Sequence, residues 1–199
     1  MFNIADFYHE YQNEFIRSLI EIDRREAKLC QEKGCPHCGG ELDVSNYPRK
    51  PRGIGAKEVL LEGRLSFTCR RCRLRTTPPS VCFFHRKVYL SFAILVIGYL
   101  RRREPEAVPL RRLSSETGVS ERMIVHWLHW WEEFVFDGDF WRSVRSKFVY
   151  PLGRRGFVYY LLESFRVSSR TLKEALLNLS RFISPLSIRA PGLVCENPV

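Results

Sequence analysis

Two C-x2-C pairs, Cys35-Pro36-His37-Cys38 and Cys69-Arg70-Arg71-Cys72, constrain this chain more than any other feature. Structural zinc takes four tetrahedral nitrogen or sulfur ligands. A tight turn carrying C-x2-C sets two thiolates on one ion while its backbone N–H groups donate to the sulfurs. Two such turns close the shell, so Cys35, Cys38, Cys69 and Cys72 predict one structural zinc ion with no coordination position left open for chemistry. Gly39 suits the positive φ that such a knuckle needs, and the 30 residues between Cys38 and Cys69 leave room for a hairpin or loop. Cys30, Cys195 and His37 are weaker substitutes for a ligand. Cys82 and His85 form a C-x2-H pair that lacks two further ligands of matching spacing, and it reads as a buried thiol beside a surface histidine.

Around that module the chain divides by texture. Ile4, Phe7, Tyr8, Tyr11, Phe15, Leu19 and Ile22 recur at helical spacing and predict one long amphipathic helix over residues 1–33, ending near Gly34. Residues 34–84 are rich in glycine and proline, with one alternating stretch, Leu65-Ser66-Phe67-Thr68, that leads into the second cysteine pair. This is the predicted ribbon. Residues 88–100 (VYLSFAILVIGYL) form an apolar run of 13, short of the roughly 20 that a bilayer span needs, and predict a buried helix. Residues 85–136 read as a helix-turn-helix unit and residues 137–199 as a helical C-terminal region, with Ser169 as the cap of a last helix that stops before Pro185. The expected class is α+β and mostly α: a small β zinc ribbon, then a helix-turn-helix, then helices.

The hairpin lies in LRRLSSETGVSERMIVHWLHWW, residues 110–131. Gly118 supplies the left-handed turn position and Ser120 can cap the second helix. Val119, Ile124, Trp127, Leu128 and Trp131 then share the core face, which leaves Ser120, Glu121, Arg122, Val125, His126 and His129 outward. In a helix-turn-helix those N-terminal outward residues reach base edges in the major groove, so Arg122 is the first candidate for guanine and His126 the second.

Charge points the same way. The formal net charge is +10, and residues 49–112 hold 16 basic against 4 acidic side chains. Lys and Arg on phosphates release condensed counterions whatever the sequence contacted, so a polyanionic partner is favoured. Charge alone does not choose between DNA, RNA and acidic lipid, and it is the helix-turn-helix that makes double-stranded DNA the expected partner. Arg49, Lys50, Arg52, Lys57 and Arg64 in the ribbon loop, and Arg70, Arg71, Arg73 and Arg75 around the second knuckle, are candidates for phosphate contact. Arg101, Arg102, Arg103, Arg111 and Arg112 flank the first helix of the hairpin. The seven cysteines, without a cationic start and apolar h-region, suggest a reducing cytoplasm.

The order C-P-x-C, basic loop, strand into C-x-x-C-R, apolar helix, then helix-turn-helix resembles the N-terminal DNA-binding region of bacterial insertion-sequence transposases and their small zinc-finger regulators. NYPRKPRG, CRRCRLRTTPPSV and HWLHWWEEF are similar to segments of mobile-element-associated proteins, and the resemblance covers residues 34–136. It implies a zinc-stabilised, sequence-specific DNA-binding protein, an accessory factor or transcriptional regulator of a mobile element, acting with a transposase or as a homodimer and without a membrane partner. Transposases of this type cut with an acidic triad on a separate domain. Here only Asp137, Asp139 and Glu163 invite that role, and Asp137-Gly138-Asp139 reads as a turn, so no enzyme is expected. A strand-transfer enzyme or its truncated remnant, and a ribbon adaptor for RNA or protein, are the alternatives.

Overall fold

The computed structural model describes residues 4–46, 65–84, 90–101, 108–149 and 152–187, with side chains in the first helix from Glu14 onward. It is α+β and mostly α: seven α-helices and one small antiparallel sheet among the described residues.

Helix α1 (Ile4–Lys33) is the longest element. Its described apolar face carries Phe15, Ile16, Leu19, Ile20 and Ile22, all buried, at the spacing that lines one side of a 3.6-residue helix. The expected contributions of Ile4, Phe7, Tyr8 and Tyr11 lie outside the described side chains. The helix stops at Gly34, where φ is +76° and the N–H turns back to Gln31 O at 3.1 Å.

Strands β1 (Leu42–Val44), β2 (Phe67–Cys69) and β3 (Arg75–Thr76) form a sheet in the order β1-β2-β3. Its register pairs Leu42 with Cys69, Val44 with Phe67, and Phe67 with Thr76. Leu42 and Phe67 pack inward with Ala27 of α1, Cys35 and Cys69 to make a small core of their own.

The larger core is helical. Helix α2 (Ser91–Leu100) is buried on every side from Ser91 to Tyr99, the placement that a helix apolar all round requires. The described part of the apolar run is therefore buried in the core, and no helix among the described residues is long and apolar enough to cross a membrane. Around α2 stand α3 (Leu110–Thr117), α4 (Glu121–His129), α5 (Asp139–Val144), α6 (Phe157–Val167) and α7 (Leu172–Ile183). Helix α2 packs directly on α1, α4 and α6, while α3 joins the same core through α4, α7 through α6, and α5 through the stretch Trp130–Val135. Residues 81–84 also enter this core, and Cys82 is buried there as a thiol, away from the ribbon cysteines; His85 is outside the described residues. A polar contact holds that segment in place. The buried Asp23 carboxylate accepts from the Ser80 hydroxyl and from Val81 N at 2.7 Å, while Ser80 N donates to Ser187 Oγ at 2.7 Å.

Two local features differ from expectation. Beyond His129 the α4 axis continues as a π-helical stretch over Trp130–Val135, with Phe136 N reaching back five residues to Trp131 O at 3.1 Å. The wider turn lets consecutive Trp130 and Trp131 both meet Phe84, at ring separations of 5.5 and 5.7 Å. At α7 the cap is Thr171, not Ser169: Thr171 Oγ1 accepts from Glu174 N at 3.1 Å, and Glu174 Oε2 accepts from Arg170 N at 2.8 Å. Thr171 stands three residues before Glu174, the spacing of a capping box, although here the glutamate accepts from the residue before the cap rather than from the cap itself. Ser169 instead accepts from Asn178 Nδ2 at 3.4 Å. The helix ends before Pro185 as expected, passing into a 3-10 turn at Ser184–Ser187.

Candidate functional site

The two cysteine turns are built alike. In the first, Cys35 N donates to Gly40 O at 2.9 Å and Gly39 N to Cys35 O at 2.8 Å; in the second, Cys69 N donates to Leu74 O at 3.0 Å and Arg73 N to Cys69 O at 3.1 Å. Each turn also aims an N–H at its leading sulfur: His37 N to Cys35 Sγ at 3.4 Å, and Cys72 N to Cys69 Sγ at 3.5 Å. The residue after the second cysteine of each turn must adopt positive φ. That residue is Gly39 (+69°) in the first knuckle and Arg73 (+61°) in the second, the only non-glycine with positive φ among the described residues.

The turns face each other, and all four sulfurs lie within 4.8 Å of one another. Cys35 and Cys72 approach to 3.6 Å, Cys38 and Cys69 to 3.5 Å. A tetrahedron with metal–sulfur bonds of about 2.3 Å has sulfur–sulfur edges of about 3.8 Å, so the donor set fits a tetrahedral ion. Among the described residues no other three His, Cys, Asp or Glu side chains converge in this way. The Cys72 N–H and other donors lower the Cys69 thiol to about 6. The Leu74 N–H lowers Cys72 too, but burial and hydrogen bonding with Cys38, Cys35 and Cys69 prevail and push it up to about 12. Four sulfurs crowded together thus concentrate negative charge on one of them, and a cation relieves that crowding. Cys30 packs on the same small core, but its sulfur is not in the quartet and burial raises its thiol against the pull of Lys33. His37 lends its backbone, and its side chain is outside the quartet. Cys195 is outside the described residues.

The cations near the ribbon fall into two groups. Arg70 is engaged by acids across the sheet, its Nε donating to Asp43 Oδ1 at 2.8 Å and its Nη1 to Glu41. Arg75 Nη2 donates to Ser45 O at 2.8 Å and Ser45 Oγ at 2.9 Å. Arg71 and Arg73 are exposed and have no side-chain partner among the described residues. Arg49, Lys50, Arg52, Lys57, Arg64, Arg102 and Arg103 lie outside the described residues.

In the hairpin, α3 ends at Gly118 with φ +66°, whose N–H returns to Ser114 O at 3.0 Å. Ser120 caps α4 by accepting from Met123 N at 3.4 Å. Val119, Ile124, Trp127 and Trp131 are buried and Leu128 half-buried. Ser120, Glu121, Arg122, Val125, His126 and His129 are all exposed. Val125 is 38% exposed, so an apolar side chain stands in an otherwise polar face. Arg112 is paired with Glu116 at 2.7 Å and His129 Nδ1 lies 3.3 Å from Glu133, whereas Arg111 and Arg122 have no side-chain partner among the described residues.

The three acids considered for catalysis are engaged separately. Asp137 accepts both Nη atoms of Arg154, at 2.6 and 2.7 Å. Asp139 pairs with Arg142 at 3.3 Å, and Glu163 accepts from Tyr99 Oη at 3.2 Å and Arg166 Nε at 3.0 Å. Sequence reasoning passed over a second run of charge, Arg142, Arg145, Lys147, Arg154 and Arg155, although it contains no acid between its ends. Scanning the tail for charge runs as well as for apolar stripes would have found it.

No protein-family model matches the chain, no curated protein matches it, and no solved structure matches it.

Proposed function

We propose that this chain is a zinc-stabilised, sequence-specific DNA-binding protein that places α4 in the major groove. The observation that carries the reading is the division of α4: Val119, Ile124 and Trp127 hold the helix to the core while Arg122, Val125, His126 and His129 stand outward behind a tight glycine turn. A helix presented in this way suits the groove, and Arg122 in its first turn, without a side-chain partner among the described residues, suits the O6 and N7 acceptors of guanine. Arg71, Arg73 and Arg111, without a side-chain partner among the described residues, supply cations for phosphates, and the net charge of +10 favours a polyanion. Four soft sulfur donors at tetrahedral spacing favour zinc as the ion. Bound, zinc lends the ribbon a cross-link; Cys35, Cys38, Cys69 and Cys72 hold it, and no fifth group is aimed at it among the described residues. A role beside a mobile element, as accessory factor or regulator in a bacterial cytoplasm, rests on the resemblance of residues 34–136.

The test is titration of the protein against DNA flanking its own gene, with random duplex as competitor. Arg122→Ala is expected to lose roughly 5- to 150-fold at the preferred site, the value of about 1–3 kcal/mol for one base contact, and to relax the preference at one position. Equal affinity of the wild type for every duplex after competition would refute sequence-specific reading.

A further inference from the structure

The connection between α5 and α6 takes no part in groove recognition by α4, yet it is strongly basic. Residues 142–155 hold five cations and no acid. Two of the five are occupied, Arg142 by Asp139 and Arg154 by Asp137. Arg145, Lys147 and Arg155 are exposed and have no side-chain partner among the described residues.

A solvated loop would account for loose cations, but this one is pinned at both ends. Phe148 sits among aromatic rings, 5.1 Å from Trp141 and 5.7 Å from Phe182, directly after the 3-10 turn Arg145–Lys147. At the other end Arg154 clamps Asp137, donates to Glu132 O at 3.1 Å and lies 5.2 Å above the Phe136 ring; Gly156 N donates to Glu132 Oε1 at 3.3 Å. The Phe148 end is thus fastened to α5 and α7, and the Arg154 end to the far end of the α4 axis. That end is acidic through Glu132, Glu133 and Asp137, and on its own would repel a phosphate strand. Arg154 neutralises the repulsion and leaves the remaining cations in excess.

From Arg122 to Glu132 is ten residues, roughly 15 Å along a helix, whereas the major groove is about 12 Å wide. A helix that sets Arg122 on base edges therefore carries Glu132 out to the rim, where the backbone runs. We propose that the α5–α6 connection is a second DNA-backbone surface, with Arg145, Lys147 and Arg155 on the phosphates flanking the groove that α4 enters. It rests on the DNA reading of α4. Fixed cations lose little freedom on contact, which is why a tethered loop suits this role better than a mobile one.

The experiment measures binding of the full chain to a short duplex of arbitrary sequence over a series of salt concentrations. Replacing Arg145, Lys147 and Arg155 together by serine is expected to flatten the slope of log K against log salt by about 2.7, about 0.9 for each phosphate no longer neutralised. Affinity should fall alike for all sequences, so the Arg122-dependent preference remains. Lys147→Glu, a single exposed change, should weaken binding in the same sequence-independent way. An unchanged slope in the triple variant, with Lys147→Glu binding as the wild type does, would overturn the proposal while leaving the α4 reading intact. A wild type that binds no duplex would overturn both.

Discussion

Removing the metal should dissolve the ribbon and spare the helices, because the two cores are unequal and separate. Among the described residues the ribbon core contains only Leu42 and Phe67 as large buried side chains, beside Ala27 and two of the cysteines. Burying each of those two side chains is worth about 1.5–3 kcal/mol, together roughly 3–6 kcal/mol. A structural zinc ion contributes about 10–16 kcal/mol to a small module at neutral pH, so zinc held by the four cysteines would outweigh apolar burial there. The helical core draws on none of the four cysteines and contains Trp127, Trp131, Phe15, Phe92 and all of α2 from Ser91 to Tyr99. Helix α1 crosses between the two: Phe15 to Ile22 pack on the helical core, Ala27 on the ribbon. Amide hydrogen exchange with and without a chelator, and in Cys69→Ser, is the assay. Peptides covering Leu42–Val44 and Phe67–Cys69 should lose protection, α1 should fray from about Ala27 onward, and Ser91–Leu100 should stay protected. Loss of protection in α2 together with the ribbon, or an undisturbed ribbon after complete metal removal, would refute the division into two cores.

Two further outcomes are expected. Arg73→Gly should stabilise the metal-bound fold by about 1 kcal/mol, since φ +61° strains any residue with a Cβ, read from a denaturant midpoint; it should also weaken DNA binding, because an unpaired cation is removed. Metal retention should fall on acidification, checked by following bound metal through an acid titration: protons compete with the metal for the four sulfurs, a protonated sulfur is no longer a ligand, and Cys69, whose thiol the N–H donors of its turn depress, is the last to take one up. The sign is that of a depressed acid, with stability present at higher pH and lost on acidification.

Much of the candidate site could be read from spacing alone. C-x2-C places two sulfurs on one turn whatever surrounds it, and the quartet Cys35, Cys38, Cys69 and Cys72 assembles in the structure. The inward and outward residues of α4 follow helical periodicity, which is a property of about two turns of chain and needs no partner to be deciphered. The length of the apolar run at residues 88–100 likewise argues for burial, and α2 is buried.

Pairings between distant residues were decided only by the tertiary structure. Arg70 counts as one more basic residue in the sequence; the β1–β2 register brings it to Asp43 and Glu41 and sets it apart from Arg71 and Arg73. The fold alone fastens Arg154 to Asp137, widens the helix at Trp130–Val135 to seat two tryptophans on Phe84, and strains Arg73 into a conformation its knuckle demands. The physical reason is range. Turn geometry and helical period are written in neighbouring residues, whereas an ion pair or a ring contact across elements depends on register and packing, which many sequences of the same local pattern would resolve differently.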